Sequence, residues 1–449
     1  MDPLYRTGSK MQDCHVVVLL EYYMKSADIY TLIKEHNLSV STDSRTAGPG
    51  TIYIGLKGDI HDGNSYAGDA IKQGAEYAVI DNPEYKKDDR IILVDDSYKT
   101  LQELAHIHRT QFSIPILVIG GSNGKTTTKE LISAVLSKKY LVHTTKGNLN
   151  NHVGVPLTLL SMPITTEIGI IEIGANHPGE HAELMKIVEP THVLVTNNGA
   201  DHLEGFGSVE GVRAANKEIY DWAHRKGATI FVNKEIVDLC EDTENTNRVL
   251  YPIGDYKSFS DMYAAVTYNN TVIKTQLVGS LNELNILAAV AVGEYFEVPI
   301  EQMTEAFAEY IPTLKRSQLI VQGSTNVVMD CYNANPSSME LSLRDFFKVS
   351  NGHKRIIVVG DMLEIGETEQ VAHLEILNQI KNNIVENDVV LCVGPVLSTF
   401  KDEFSFQFFQ NSDDASETFN QLDLNSSYVF LKASRGIKLE NVINKKIAL

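Results

Sequence analysis

Cysteine is scarce in this chain of 449 residues: Cys14, Cys240, Cys331 and Cys392 lie far apart and form no C-x-x-C pair. That spacing offers neither a zinc ribbon nor a redox pair, and a reducing cytoplasm is the expected compartment. Long apolar runs are missing as well. None approaches the ~18 residues of a membrane span. The run at residues 16–20 has five residues, short of the ~7 to 15 of a signal-peptide core. Positive charge is in deficit, with 39 Lys and Arg against 58 Asp and Glu and a net charge of −19. This excludes a broad nucleic-acid-binding surface and a surface for anionic membranes. It leaves room for a small anionic substrate, because a few local Lys and Arg can build a site inside an acidic protein. Small molecules are the expected partners, and a monomer the expected state. There is no internal repeat and no low-complexity tract. The hydrophobic fraction of 43% suffices for packed cores.

The length suggests two to four domains. Residues 1–23 show no clear pattern and read as an extension or leader, with the fold beginning near Met24. A compact α/β segment is expected over 24–112, with a helix at 26–36 and strands at 51–56, 77–80 and 91–94. Ile114-Pro115 marks the next entry, because the residue before proline avoids helix. Strand and helix signals then alternate over 113–312: strands at 116–119, 167–174, 192–197 and 229–233, with helices from 129, 178–188, 210–225 and 282–295. A third unit, 313–449, carries strands at 326–330, 355–361, 388–394 and 427–434. Continuous apolar strands alternating with helices imply mostly parallel sheets covered on both faces.

Residues 116–130, ILVIGGSNGKTTTKE, carry the most chemistry. A β-rich run meets a Gly-rich turn, and Lys125 with three threonines leads into a helix. Such a junction holds phosphate: backbone N–H groups converge on its oxygens, and the helix N-terminus adds partial positive charge. Lys125 would reach the terminal phosphates and the Thr126 hydroxyl Mg²⁺. The match departs from G-x-x-x-x-G-K-[ST], because Ile119 stands where the first glycine belongs. A glycine turn alone also serves ordinary strand-to-helix junctions; the preceding strand and the following K-T-T make nucleotide binding the expectation.

Other polar clusters fall at strand ends, where parallel α/β sheets gather their ligands. Glu172 emerges from an apolar strand in EIGANHPGEH; a carboxylate there must be paired, metal-bound or at a strand tip. His202 lies in TNNGADHLEGFGS and could meet metal or phosphoryl oxygen. TTKGNLNNHVGVP, 144–156, offers amides and glycines suited to sugar or phosphate.

Together, GSNGKTT, GNLNNHVGVPLT, EIGANHPGE and HLEGFGS resemble the Mur ligases, the ATP-dependent amide-forming enzymes of peptidoglycan synthesis. STDSR (41–45), LKGDIHDGNSYA (56–67), DCYNANPSSM (330–339), GDMLEIGE (360–367) and KASRG (432–436) extend the resemblance from about residue 40 to the end. It implies an α/β fold of three domains: a smaller N-terminal domain for the UDP-sugar, a central P-loop parallel sheet for ATP, and a C-terminal Rossmann-like domain. The implied substrates are UDP-N-acetylmuramoyl-tripeptide and, from DCYNANP, D-alanyl-D-alanine.

The resemblance assigns roles by position. Thr42, Asp43, Ser44, Arg45, Lys57, Asp62 and Gly63 fall on the UDP motifs, and Asn148 and Asn151 on the substrate side. ATP falls to Gly121, Ser122, Asn123, Gly124, Lys125, Thr126 and Thr127, with Asn282 and Asn285 on the adenine side, Arg316 in the linker and Asp330 at the ribose. Leu281 stands where the family motif has histidine. Lys432 would approach the γ-phosphate, and Asn333, Asn335 and Arg435 the dipeptide. Mg²⁺ would be held by Thr126, Glu172 and His202. The catalytic set is then Lys125, Glu172, His202 and Lys432.

One departure bears on the metal. The family places a carbamylated lysine in K-x-E-I; here RAANKEIY puts Asn216 at that position. Lys217 points about 100° away on a helix. A bound anion such as chloride, or a rearranged water network, is expected beside Asn216. Two alternatives stay open: another Mur-type or folylpolyglutamate-type amino-acid ligase, and a non-catalytic P-loop nucleotide-binding protein.

Overall fold

Alternating strands and helices build three parallel-stranded layers in the structure, a computed structural model that describes residues 23–258, 262–312 and 316–447. The expected extension at 1–23 lies outside the described residues except for Tyr23, which bridges to Leu93. The chain divides into two compact units. One holds described residues up to Ile114 with Asn148–Thr166 and Lys186–Glu189; the other holds the remainder.

The first unit is a parallel sheet, β1 (Ser39–Ser41), β2 (Thr51–Ile54), β3 (Tyr77–Ile80) and β4 (Ile91–Leu93), in the order β1-β2-β3-β4. The helices Ser26–Glu35 and Ser97–Arg109 bury Ile29, Ile33, Leu101 and Leu104 against it. Asp96 caps the second by accepting from Lys99 N at 2.9 Å, which fixes its start. Residues 148–166, expected in the central domain, pack here instead. Val153, Leu157 and Leu160 join this apolar core, and His108 Nε2 lies 2.9 Å from Met162 O. Apolar burial outweighs sequence adjacency.

The second unit contains two large sheets. β5 (Ile116–Gly120), β6 (Val142–Thr144), β7 (Ile168–Glu172), β8 (His192–Val195), β9 (Thr229–Asn233) and β10 (Arg248–Tyr251) form a six-stranded parallel sheet, ordered β10-β9-β8-β5-β7-β6. Strand order reverses around β5, so a crevice opens at its carboxyl end. The helix Leu281–Tyr295 is apolar nearly all round and correspondingly buried. An antiparallel sheet, β11 (Tyr256–Ser258), β12 (Tyr263–Tyr268) and β13 (Thr271–Val278), completes this part. The apolar-run reading misses it because β13 alternates buried and exposed residues.

The last sheet holds β14 (Gln318–Gln322), β15 (Thr325–Asp330), β16 (Lys354–Gly360), β17 (Val389–Val393), β18 (Gln407–Phe409) and β19 (Ser427–Lys432), ordered β14-β15-β19-β16-β17-β18. Only edge strand β14 is antiparallel to its neighbour among these described strands. Apolar clusters cover both faces.

Candidate active site

Backbone geometry makes the phosphate loop. Gly121 has φ +111° and Gly124 φ +83°, conformations that disfavour side chains. A Cβ on Gly121 would stand 2.4 Å from Thr196 Oγ1, and one on Gly124 2.5 Å from Asn285 Oδ1. Ile119, the departure from the P-loop pattern, lies wholly buried in β5; the chain reverses two residues later, at Gly121. Asn197 braces the loop. Its side chain accepts from Asn123 N at 3.1 Å and donates to Asn123 O at 2.9 Å.

The helix after the loop starts at Lys125, not at Lys129 as the sequence suggests. Threonines are weak helix formers, but tertiary bonds hold them here. Thr126 Oγ1 donates to Glu172 Oε1 at 3.1 Å, and Thr128 Oγ1 to Asn285 Oδ1 at 3.0 Å. Lys129 is fully buried, donates to Thr145 O at 2.6 Å and lies 3.7 Å from Glu172 Oε2. Its cation compensates the buried Glu172 carboxylate, which uncompensated would be expensive. Lys125 Nζ donates to Gly121 O at 2.5 Å and Ser122 O at 3.1 Å, and stands 3.8 Å from Asp201 Oδ2.

A cleft open to solvent begins at this loop, with about 850 Å³ of empty space when the solvent at its mouth is included. It brings Ser122, Asn123, Gly124 and Thr127 to Asn282, Asn285, Arg316, Asp330, Asn333 and Lys432. The two helix asparagines are buried and bonded inward: Asn285 Nδ2 donates to Asn282 Oδ1 at 3.0 Å, and Asn282 Nδ2 to Val278 O at 2.7 Å. Leu281 lines the same cleft.

Asp330 and Lys432 are register partners at the ends of β15 and β19, and their side chains form an ion pair. Lys432 also donates to Asn333 O at 3.3 Å. Asn335 caps the helix Pro336–Val349 and donates through Nδ2 to Asn123 Oδ1 at 2.8 Å. The DCYNANP segment is thereby laid on the phosphate loop. Tyr332, which the sequence does not single out, has the Arg316 guanidinium 3.5 Å and the Arg435 guanidinium 5.1 Å from its ring centre.

His202 has φ +48°. Its Nδ1 lies 2.7 Å from Glu364 Oε2, and its Nε2 3.7 Å from Asp201 Oδ2. Asp201 and Glu364 also escape the sequence reading, since both sit in polar loops whose partners are distant in the chain. Asn216 Nδ2 donates to Asn198 Oδ1 at 2.8 Å; Lys217 points elsewhere and pairs with Asp221. Buried His181 is held neutral, its pKa pushed down to about 4 by desolvation, and its Nδ1 donates to Ala215 O at 3.1 Å.

A metal ion would draw on a small donor set. Among the described residues no three His, Cys, Asp or Glu side chains form a cage. Thr126 and Glu172 do place a hydroxyl and a carboxylate together beside the phosphate loop, whereas His202, the third expected ligand, stands beside Glu364 and Asp201 instead. That set fits Mg²⁺, which takes one or two carboxylates and completes its shell with phosphate and water.

In the first unit the expected UDP residues are locally tied. Arg45 Nη2 donates to Asp43 Oδ2 at 2.7 Å, and this guanidinium holds the Asp43 carboxyl down at about 2. The backbones of Lys57 and Asp62 pair in an isolated antiparallel bridge, and Gly63 N donates to Leu56 O at 2.9 Å. Asn151 accepts from Gly154 N at 2.9 Å, starting the helix Gly154–Leu160; Asn148 lies in the same unit.

Known proteins resemble this chain in sequence and fold. Residues 38–109 match "Mur ligase family, catalytic domain", 119–293 "Mur ligase middle domain" and 315–435 "Mur ligase, glutamate ligase domain". The chain is 32% identical to UDP-N-acetylmuramoyl-tripeptide–D-alanyl-D-alanine ligase of Bacillus subtilis (strain 168), over 91% of this chain and 93% of that protein. Among solved structures, MurF from Acinetobacter baumannii is similar with a TM-score of 0.79 at 25% identity, covering 91% of this chain and 92% of that one. The MurF ligase of Thermotoga maritima, in complex with ADP, gives 0.77 at 25% identity, covering 91% and 97%.

Proposed function

The chain belongs to the Mur ligase family, and from that premise we propose that it joins D-alanyl-D-alanine to UDP-N-acetylmuramoyl-tripeptide at the expense of ATP. The observation that carries this reading is the bond from Asn335 to Asn123, which sets the amine-side segment against the phosphate loop. The relatives bearing this ligase name over most of their length support it.

The reaction has two steps. A carboxylate oxygen of the tripeptide bonds to the γ-phosphorus while the bond to ADP breaks, giving an acyl phosphate. The dipeptide amine then bonds to the acyl carbon, inorganic phosphate leaves, and the amine gives up a proton. Such transfer needs positioning and charge neutralisation above all. Lys125 supplies charge at the loop once phosphate oxygens replace the two carbonyls that hold it. Lys432 brings a second cation to the strand tip, and Asp330 beside it offers a carboxylate to ribose hydroxyls. Thr126 and Glu172 would hold Mg²⁺, which supplies neutralisation of phosphate charge. Arg316 and Arg435, stacked about Tyr332, are assigned to the anionic groups and the incoming dipeptide. Thr42–Arg45, Lys57, Asp62, Gly63, Asn148 and Asn151 are assigned to the nucleotide-sugar.

Asn216 gives one side-chain N–H to Asn198, and the second is assigned to a bound anion such as chloride. Turnover should then rise with chloride at fixed ionic strength and ignore bicarbonate; indifference to chloride removes the anion. Phosphate release with UDP-MurNAc-tripeptide, carrying lysine or diaminopimelate third, should require both ATP and D-alanyl-D-alanine. Release that ignores the dipeptide would overturn the assignment.

A further inference from the structure

The helix Pro336–Val349 belongs to the C-terminal sheet: its Met339, Leu343 and Phe346 share one apolar core with Val328 of β15 and Phe430 of β19. The same helix is tied to the phosphate-loop part of the unit at two places. At its start, Asn335 Nδ2 donates to Asn123 Oδ1 at 2.8 Å. Ten residues on, Asp345 Oδ2 accepts from Ser280 N at 2.6 Å. Ser280 opens the helix Leu281–Tyr295, and its own side chain makes no capping bond there.

The first turn of a helix leaves backbone N–H groups without partners and carries partial positive charge. An aspartate answers both needs, and it ordinarily comes from the residue at the helix start. Here it comes from another helix, 65 residues further along the chain. The helix so capped is the one that supports the phosphate loop: Asn285 accepts from Thr128 and packs where a Cβ on Gly124 would go. At ~1.5 Å of rise per residue, the two ties stand about 15 Å apart along Pro336–Val349. One tie alone leaves a helix free to pivot, whereas two fix its direction. Strands β15 and β19 follow this helix through their shared core, and their ends carry Asp330 and Lys432.

We propose that Asp345 is a positioning residue for the ATP site: by capping the helix Leu281–Tyr295 from the C-terminal sheet, it holds Asp330 and Lys432 in register with the phosphate loop. The proposal rests on the reading of this cleft as the ATP site. The Asp345 side chain is 19% exposed, so the bond is largely shielded from competing water. Removal of a cap shifts the equilibrium that it supports about 2- to 30-fold.

The test uses the full chain with Mg²⁺ and a non-hydrolysable ATP analogue. Asp345→Ala should weaken binding of the analogue about 2- to 30-fold. Alanine is the best helix former, so the variant should fold. Asp345→Asn keeps an oxygen acceptor and should restore most of the affinity, because asparagine caps about as well as aspartate. Ser280→Pro breaks the same bond from the donor side. Ser280 has φ −65°, which suits proline at a helix start. It should weaken binding as Asp345→Ala does, and the two together should weaken it no further. Solution X-ray scattering separates a tie between sheets from a local helix cap: without nucleotide, both variants should show a larger radius of gyration than the parent. Parental affinity in Asp345→Ala, losses that multiply in the double variant, or an unchanged radius of gyration would each overturn the proposal. A parent that binds no analogue would strike the reading of the cleft, while the scattering still decides on Asp345.

Discussion

Gly121 sits at a backbone conformation closed to other residues, with Thr196 packed where a Cβ would go. Gly121→Ala must therefore shift either the loop or β8, at a cost of about 1–3 kcal/mol. Loss of ATP affinity exceeding the loss of global stability is expected, and calorimetric titration beside urea unfolding checks it. Glycines of this kind are legible in sequence because their reason is local: a strand, a reversal and a helix follow within a few residues. Lys129 is the opposite case. It reads as an ordinary helix lysine, yet it is fully buried between Thr145 O and Glu172, because the residues that need its charge arrive from β6 and β7.

At the level of elements, helix Lys125–Leu136 is joined to helix Leu281–Tyr295 by a polar line: Thr128 to Asn285, Asn285 to Asn282, Asn282 to Val278 O. Asn285→Ala breaks it in the middle and leaves a buried hydroxyl and a buried amide oxygen without their partners. The expected destabilisation is about 1–3 kcal/mol, read as a lower urea midpoint at constant m-value. ATP binding should weaken in parallel, since Gly124 packs on Asn285. Strands with continuous apolar runs, such as β5, β7 and β19, declare themselves by composition. The more exposed strands β11, β13 and β14 do not, because short segments of mixed polarity also describe surface loops. Segment 148–166 reads as part of the central domain, and only the apolar face of Val153, Leu157 and Leu160 decides for the first unit.

For the molecule as a whole, buried histidines couple stability to acid. Desolvation holds His181 and His192 down at about 4, below the ordinary value of roughly 6.5. The unfolded chain takes up these protons below about pH 6.5, whereas the folded chain resists until about pH 4, so stability falls as pH drops through that window. Thermal melts between pH 7 and 4 should show the decline. His192→Phe, which keeps the ring among Phe231, Tyr295 and Phe296, should make it shallower. The sequence alone determined the phosphate loop, the apolar strands and the polar clusters at their tips, because chain reversal and burial leave short-range signatures. Tertiary structure alone decided which tips meet. Asn335 reaches Asn123 across 212 residues, Lys432 faces Asp330 through strand register, and Glu364 stands beside His202. Those partnerships depend on how sheets and loops pack, and packing is a property of the assembled chain rather than of any segment in it.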